Sequence, residues 1–255
     1  MKVLFIGGTG IISSACAPLA VARGIDLTLL NRGQSNRRAP AEAHLLYADI
    51  HDPQAIQAAL EGHQFDVVVN WIAYTPTDIE RDLKLFRGKI SQYVFISSAS
   101  AYQTPAANLP IRESTPLENP VWEYSRNKIA CEEYLLQQYR KDKLPFTIVR
   151  PSHTYDRTLV PVEGGYTVID RMLRGKPIIV HGDGTSIWTL THHTDFAVGL
   201  VGLLGNSHAR GEIFHITSDE WLTWNQIYLT LAEAVGVKAE LVHVPSDLIA
   251  AYDRR

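Results

Sequence analysis

The sequence predicts an α/β protein built on a doubly wound parallel sheet, with a smaller mixed α/β lobe in its C-terminal part. Three observations carry that expectation: short apolar runs bounded by Gly, Pro or polar residues, helix-length patterns between them, and a change of pattern after Arg150-Pro151. Parallel strands buried on both faces read as continuous apolar runs, and the crossovers that join them are helices.

The runs are Val3–Ile6, Leu27–Leu30, Leu45–Ala48, Val67–Trp71, Tyr93–Ile96 and Thr147–Val149. Between them Ile12–Arg23, Pro53–Glu61, Asp78–Lys89 and Glu123–Lys141 have helical length and spacing. Residues 1–150 therefore form one domain. Residues 151–255 form the second lobe, partly woven into the first: a helix over Tyr166–Arg174, strands at Ile178–Val180 and Ile187–Leu190, a helix over Thr194–Leu204, a strand at Glu212–Ile216, a helix from Thr223 and a strand at Glu240–Val244. Pro245-Ser246-Asp247 then opens a helix that has barely begun when the chain stops, which leaves the completeness of that lobe open.

Bulk properties narrow the function. A chain of 255 residues with 45% hydrophobic composition can bury a sizeable core, which argues against disorder. A net charge of -3 offers no global attraction to phosphate backbones or anionic lipid, so nucleic-acid binding would require a local basic patch. The two cysteines, Cys16 and Cys131, lie far apart in helical patterns and suggest neither a disulfide framework nor a metal site. The four-residue apolar run before Gly7 is too short for a signal-peptide core, and no 18-residue apolar stretch occurs. A cytoplasmic small-molecule protein without a membrane span is expected.

The first strand runs directly into Gly7-Gly8-Thr9-Gly10-Ile11-Ile12-Ser13, which opens a helix. Glycines there permit positive φ and let backbone N–H groups approach a pyrophosphate at the helix N-terminus, so Gly7, Thr9, Gly10, Ile11 and Ile12 are candidate cofactor contacts. Ser13 takes a third position where glycine is usual for close helix–strand packing. The second strand ends at Asn31-Arg32, where such folds place a carboxylate on the adenosine ribose or a basic group on a 2′-phosphate. No carboxylate is present. Arg32, with Arg37 and Arg38, suits bidentate pairing with a 2′-phosphate and favours NADP over NAD, although Asn31 can still serve a ribose hydroxyl.

The fifth strand delivers Ser98 at its C-terminal end, where ligands of open α/β sheets sit. In the next helix Tyr124 and Lys128 share a face at i,i+4 spacing. A free phenol, with a pKa of about 10, is a poor base at neutral pH, and a nearby cation lowers that value. Tyr139 and Lys143 repeat the spacing but lie 15 residues further along, roughly 22 Å at 1.5 Å per residue, and read as an ordinary pair.

Together, Gly7-x-x-Gly10-x-x-Ser13, Ser98 four residues before Tyr102, Tyr124-x-x-x-Lys128 and Arg150-Pro151 resemble the extended short-chain dehydrogenase/reductases, the NAD-dependent epimerase/dehydratase family. The resemblance covers about residues 1–205. It implies a Rossmann-type domain with strand order 3-2-1-4-5-6-7 and a substrate-binding C-terminal lobe. It also implies that Asp49 and Ile50 lie at the adenine, that Ile72 and Ala73 pass along the ribose and pyrophosphate, and that Pro151 supports the nicotinamide. Tyr74, His153 and Trp188 fall at substrate positions beside Ser98, and Asp195 reads as a structural carboxylate at a helix start. A homodimer through Asp78–Lys89 and Glu123–Tyr139 is implied as well.

The chemistry so implied is hydride transfer on a sugar-like, nucleotide-linked substrate, by an epimerase or reductase. Tyr124 would move the hydroxyl proton, Ser98 would hold the substrate oxygen, and Lys128 would bind ribose hydroxyls while lowering the Tyr124 pKa. Dehydratases usually place acidic residues just after the serine position, whereas Ala99 and Ser100 follow here. The paired His192-His193 lacks evident further metal ligands, and no metal is expected. The turn at residues 9–13 and the strand end Leu29–Gly33 are also similar to a branch that includes chloroplast stem-loop RNA-binding proteins. A cofactor-binding regulatory or RNA-binding protein of the same fold is thus the alternative.

Overall fold

The computed structural model describes residues 1–34 and 39–252 and divides the chain into two compact units. The first takes Met1–Thr154 and regains the chain for His193–Ile216; the second takes Tyr155–His192 and the chain from Thr217 onward.

In the first unit the strands are β1 (Lys2–Ile6), β2 (Asp26–Asn31), β3 (His44–Tyr47), β4 (Val67–Asn70), β5 (Gln92–Ile96), β6 (Phe146–Pro151) and β7 (Glu212–Ile216). They pair in parallel in the order β7-β6-β5-β4-β1-β2-β3, the doubly wound order expected. Helices α1 (Ser13–Ala22), α2 (Pro53–Leu60), α3 (Pro76–Phe86), α4 (Glu123–Asp142) and α5 (His193–Leu203) supply the cover. Val67–Asn70 is buried at every position, as a strand covered on both faces must be. One core packs Leu4, Ile6, Val68 and Phe95 with Ile79, Leu83, Cys131 and Leu135; the other packs Val3, Phe5, Val69 and Val94 with Cys16, Ala17, Phe196 and Leu200. Alternate residues of each strand thus feed opposite layers.

Local signals set the helix starts. Asp52 caps α2 by accepting from the N–H groups of Gln54 and Ala55, with Pro53 in the first turn. Thr75 and Asp78 form a capping box at the start of α3. The direction change between β1 and α1 is made by Gly7 at φ 92° and Gly8 at φ 99°. A Cβ on Gly8 would lie 3.1 Å from Leu29 Cδ2 and 3.2 Å from Phe5 Cβ, so strand packing as well as dihedral requires glycine there.

The second unit has its own core of Val168, Ile169, Met172, Ile178, Val180, Trp224, Ile227 and Tyr228. Its helices are Tyr166–Leu173, Trp224–Ala234 and Ser246–Tyr252, and strand Ile178–His181 pairs in parallel with Leu241–Val244. The strand expected over Ile187–Leu190 is interrupted at Thr189: Ile187–Trp188 pairs antiparallel with Leu222–Thr223, and a separate strand begins at Leu190. Ile187 is 55% and Trp188 44% exposed, so no buried face sustains one continuous ladder. Among the described residues no helix is long and apolar enough to cross a membrane.

Candidate active site

The C-terminal ends of β1 to β4 open onto a cleft of about 370 Å³ lined by Gly7, Thr9, Asn31, Arg32, Asp49, Ile50, Ile72 and Tyr74, together with Leu30, Gly33, Gln34, Ala48, His51 and Asp78. This brings together the turn, the β2 end, the residues after β3 and those after β4, as a dinucleotide's adenosine and pyrophosphate half requires. Gly10 has an ordinary φ, and a Cβ there would meet only Ser13 Oγ, at 3.5 Å. Glycine at this position leaves the backbone open to close approach by a ligand. Ile12, the N-cap of α1, makes no side-chain cap, which leaves the first-turn amides to a ligand anion. These features fit a pyrophosphate. Ser13 is almost fully buried; its hydroxyl accepts from Gly10 N at 2.8 Å and lies 3.3 Å from Gly10 O, closing the turn that glycine would leave open.

Asn31 Oδ1 accepts from Gly33 N at 2.8 Å and Asp49 Oδ1 from His51 N at 2.9 Å, so both side chains brace their own loops while lining the cleft. Arg32 is exposed at the rim, and Arg37 and Arg38 lie outside the described residues. Ile11 and Ile12 contribute backbone; the Ile11 carbonyl accepts from Ser14 Oγ at 2.7 Å and lies 3.1 Å from His193 Nδ1, which ties α5 to the turn.

The wall formed by residues 70–75 is held by a polar cluster that sequence reasoning missed. Asn70 Oδ1 accepts from Ile72 N at 2.7 Å, and its amide donates to the fully buried Asp82 carboxylate, which also accepts from Tyr93 Oη at 2.6 Å and Arg81 Nη2 at 3.0 Å. Burial pushes the Asp82 pKa up, against the pull of Arg81 and these donors. Burial also opposes ionisation of Asp78, but donation from Tyr74 N, Thr75 N and the Thr75 hydroxyl, with the Arg81 charge, holds its carboxyl below the usual range. The Thr75–Asp78 box is local in sequence, whereas Asp82 meets Asn70 and Tyr93 through tertiary contacts.

Ser98, Tyr124 and Lys128 converge as the motif implies. Tyr124 stands in the first turn of α4, half-buried, and its phenol interacts with Ser98, which favours ionisation; burial outweighs that and raises the pKa. Ser98 Oγ lies 2.8 Å from Ser100 Oγ, which also accepts from Ser125 Oγ at 2.8 Å, so three hydroxyls form a chain. Lys128 is almost fully buried and bridges two strand ends, donating to Ala73 O at 2.7 Å and Ile96 O at 2.8 Å. Burial lowers its pKa to about 8. The expectation that Lys128 depresses the Tyr124 pKa is corrected here. The ammonium lies 5.6 Å from the phenol ring centroid with two of its three donors committed to carbonyls, and the phenol is shifted upward.

Ala73 is fully buried and offers its carbonyl to Lys128, while Pro151 is buried at the end of β6; neither lines the cleft. Tyr74 joins the triad: its ring lies 6.1 Å from Tyr124 and 4.8 Å from Lys128 Nζ. His153 is half-buried, which lowers its pKa. Trp188 belongs to the second unit, where its ring lies 5.7 Å from Trp224. Asp195 stands in the first turn of α5. Tyr139 packs edge-on against Phe146 under Lys143, a structural pair.

The model of the NAD dependent epimerase/dehydratase family matches residues 3–217. The chain belongs to this family. Among curated relatives it is 30% identical over 257 residues to a chloroplast stem-loop binding protein of 41 kDa from Arabidopsis thaliana, covering 95% of the chain and 65% of that protein. It is 25% identical to a 2′-dehydrokanamycin reductase of Streptomyces kanamyceticus, covering 98% of the chain and 71% of the reductase. The chain thus spans about two thirds of the length of these relatives. The solved structure of dTDP-glucose 4,6-dehydratase from Bacillus anthracis in complex with NAD has the same fold, with a TM-score of 0.79 at 18% identity over 96% of this chain and 84% of that one.

Proposed function

We propose that this protein is an NAD(P)-dependent epimerase or reductase that exchanges hydride with a carbinol carbon of a sugar-like, nucleotide-linked substrate, with Tyr124 as acid/base. The observation that carries the reading is the convergence of Ser98, Tyr124 and Lys128 within the same unit as the glycine-turn cleft. A bound nicotinamide supplies the hydride acceptor or donor. Tyr124 takes the substrate hydroxyl proton in the oxidative direction and returns it in the reductive one. Ser98, steadied by Ser100, holds the substrate oxygen, and Lys128 carries donors suited to ribose hydroxyls beside the carbonyls that fix it. His153, in the same unit as Tyr124, is a substrate contact in this reading.

Arg32 at the rim, with Asn31 and no carboxylate at the C-terminal end of β2, favours NADP(H) as the tighter ligand. The reading is tested by Tyr124→Phe in the full chain. Turnover with a panel of nucleotide sugars should fall about 10²- to 10⁴-fold while NAD(P) binding by calorimetry is kept; unchanged turnover would overturn it.

A second reading rests on the likeness to the stem-loop binding protein: RNA binding on the same fold. A gel shift at near-physiological salt, lost when Arg37 and Arg38 become alanine, would favour it, and absence of binding would remove it.

A further inference from the structure

Trp122 breaks two local rules at once. It occupies the N-cap of α4, a position that favours Ser, Thr, Asp or Asn, and it makes no side-chain cap there. It also leaves a large aromatic ring 55% exposed. Asn119 Oδ1 accepts from Val121 N at 3.1 Å and Trp122 N at 2.9 Å, a turn that leads into the helix and leaves its first-turn amides without a side-chain cap. The amide of Asn119, itself largely buried, donates to Ser100 O at 3.0 Å, and Arg126 Nη1 donates to Pro120 O at 3.1 Å. The backbone that carries Trp122 is therefore anchored to the strand-end segment that carries Ser98. Its ring centroid lies 4.8 Å from that of Tyr124, which in turn lies 6.1 Å from Tyr74.

Local rules broken without local compensation mark functional positions. We propose that Trp122 is a specificity-determining residue: its fixed, exposed ring receives the C–H face of the pyranose whose hydroxyl is presented to Tyr124 and Ser98. A pyranose offers hydroxyls at its edge and C–H groups on its faces. The hydroxyl chain Ser98–Ser100–Ser125 suits the edge, and an indole of this size suits the face. The ring is selected as a sugar ring, whatever leaving group or nucleotide it carries. This inference rests on Tyr124 acting on a sugar, as proposed above.

The test compares UDP-glucose with UDP, and dTDP-glucose with dTDP, in calorimetric titrations of the NAD(P)-saturated full chain and its variants. Wild type should bind each sugar nucleotide more tightly than its parent diphosphate. Trp122→Ala should lose about tenfold of that preference, equivalent to ~1.4 kcal/mol, while the affinity for UDP and dTDP stays the same. Trp122→Phe should restore most of it, and in turnover the alanine variant should raise KM more than it lowers kcat. Equal sugar preference in wild type and Trp122→Ala overturns the inference and leaves the hydride-transfer reading intact. Loss of diphosphate affinity in parallel with sugar affinity also overturns it, because the effect would be general. A wild type that prefers neither sugar nucleotide, and turns over none, overturns both.

Discussion

The Lys128 ammonium donates to the Ala73 carbonyl at 2.7 Å, so the cation of the motif serves as a brace between the ends of β4 and β5. This brace has a measurable cost. Burial lowers the Lys128 pKa from 10.5 to about 8, so at pH 7 the folded state holds a charge that it disfavours by roughly 3 kcal/mol, at 1.36 kcal/mol per unit. Above pH 8 the folded chain releases the proton while the unfolded chain keeps it until about 10.5. The unfolded state then binds more protons, and stability from this group rises with pH. Urea denaturation of wild type and Lys128→Met between pH 7 and 10 should show the wild type gaining on the variant, by up to about 3 kcal/mol. A difference that is flat with pH refutes the assignment.

Two glycines of one turn should fail in opposite ways. Gly8→Ala meets both a φ of 99° and the Phe5 and Leu29 side chains, and should cost about 1–3 kcal/mol of stability. Gly10→Ala has an ordinary φ and open space, so stability should change by less than about 0.5 kcal/mol. The added methyl would instead stand where a pyrophosphate must approach, and NAD(P) affinity should fall about tenfold or more. Thermal melts and calorimetry on the two variants separate these outcomes; a Gly10→Ala variant with unchanged affinity would remove the turn from the cofactor site.

Much of this was legible because burial on both faces of a parallel sheet leaves little choice of residue. Val67–Asn70 or Tyr93–Ile96 can hardly be read otherwise, and the strand order is the one that the family resemblance implies. The glycine turn, Tyr124 and Lys128 were legible because the motifs that hold them are short spacings. What escaped depends on long-range encounters: Asp82 meets Asn70 and Tyr93, Asn119 meets Ser100, and the Lys128 donors turn to carbonyls at the ends of two strands. No spacing encodes such meetings. The edge strand at Ile187 failed for a different reason, since its exposed side chains leave register and length weakly specified.

Behind the serine segment, Arg150 and Glu132 form a buried pair, with Nη2 to Oε2 at 2.5 Å and Nε to Oε1 at 3.0 Å, and Ser97 Oγ donates to Glu132 Oε1 at 2.5 Å. Removing one partner strands the other charge without solvent. Glu132→Leu should cost about 3–5 kcal/mol, and the double variant Glu132→Leu/Arg150→Met should recover much of it. Chemical denaturation of the cycle checks this; additive losses would show that the two groups do not act as a pair.

The upward shift of Tyr124 fixes the direction of the pH dependence. Burial keeps the phenol protonated at neutral pH, so the base form is scarce there and the acid form abundant. In the oxidative direction, where Tyr124 accepts a proton, kcat/KM should climb as pH rises from 7 towards 10, up to tenfold per unit while the base form is rare. In the reductive direction, where the protonated phenol donates, Tyr124 adds no slope over that range, and a fall in rate above about pH 8 reports the loss of the Lys128 proton. Ser98 works against the shift by favouring the ionised phenol. Ser98→Ala should therefore move the oxidative limb to higher pH as well as lower the rate, whereas loss of substrate contact alone would lower the rate without moving the limb. Profiles for wild type and Ser98→Ala, measured with one alcohol substrate and its ketone, separate the two roles. An oxidative limb that does not rise between pH 7 and 9 would rule out Tyr124 as the base.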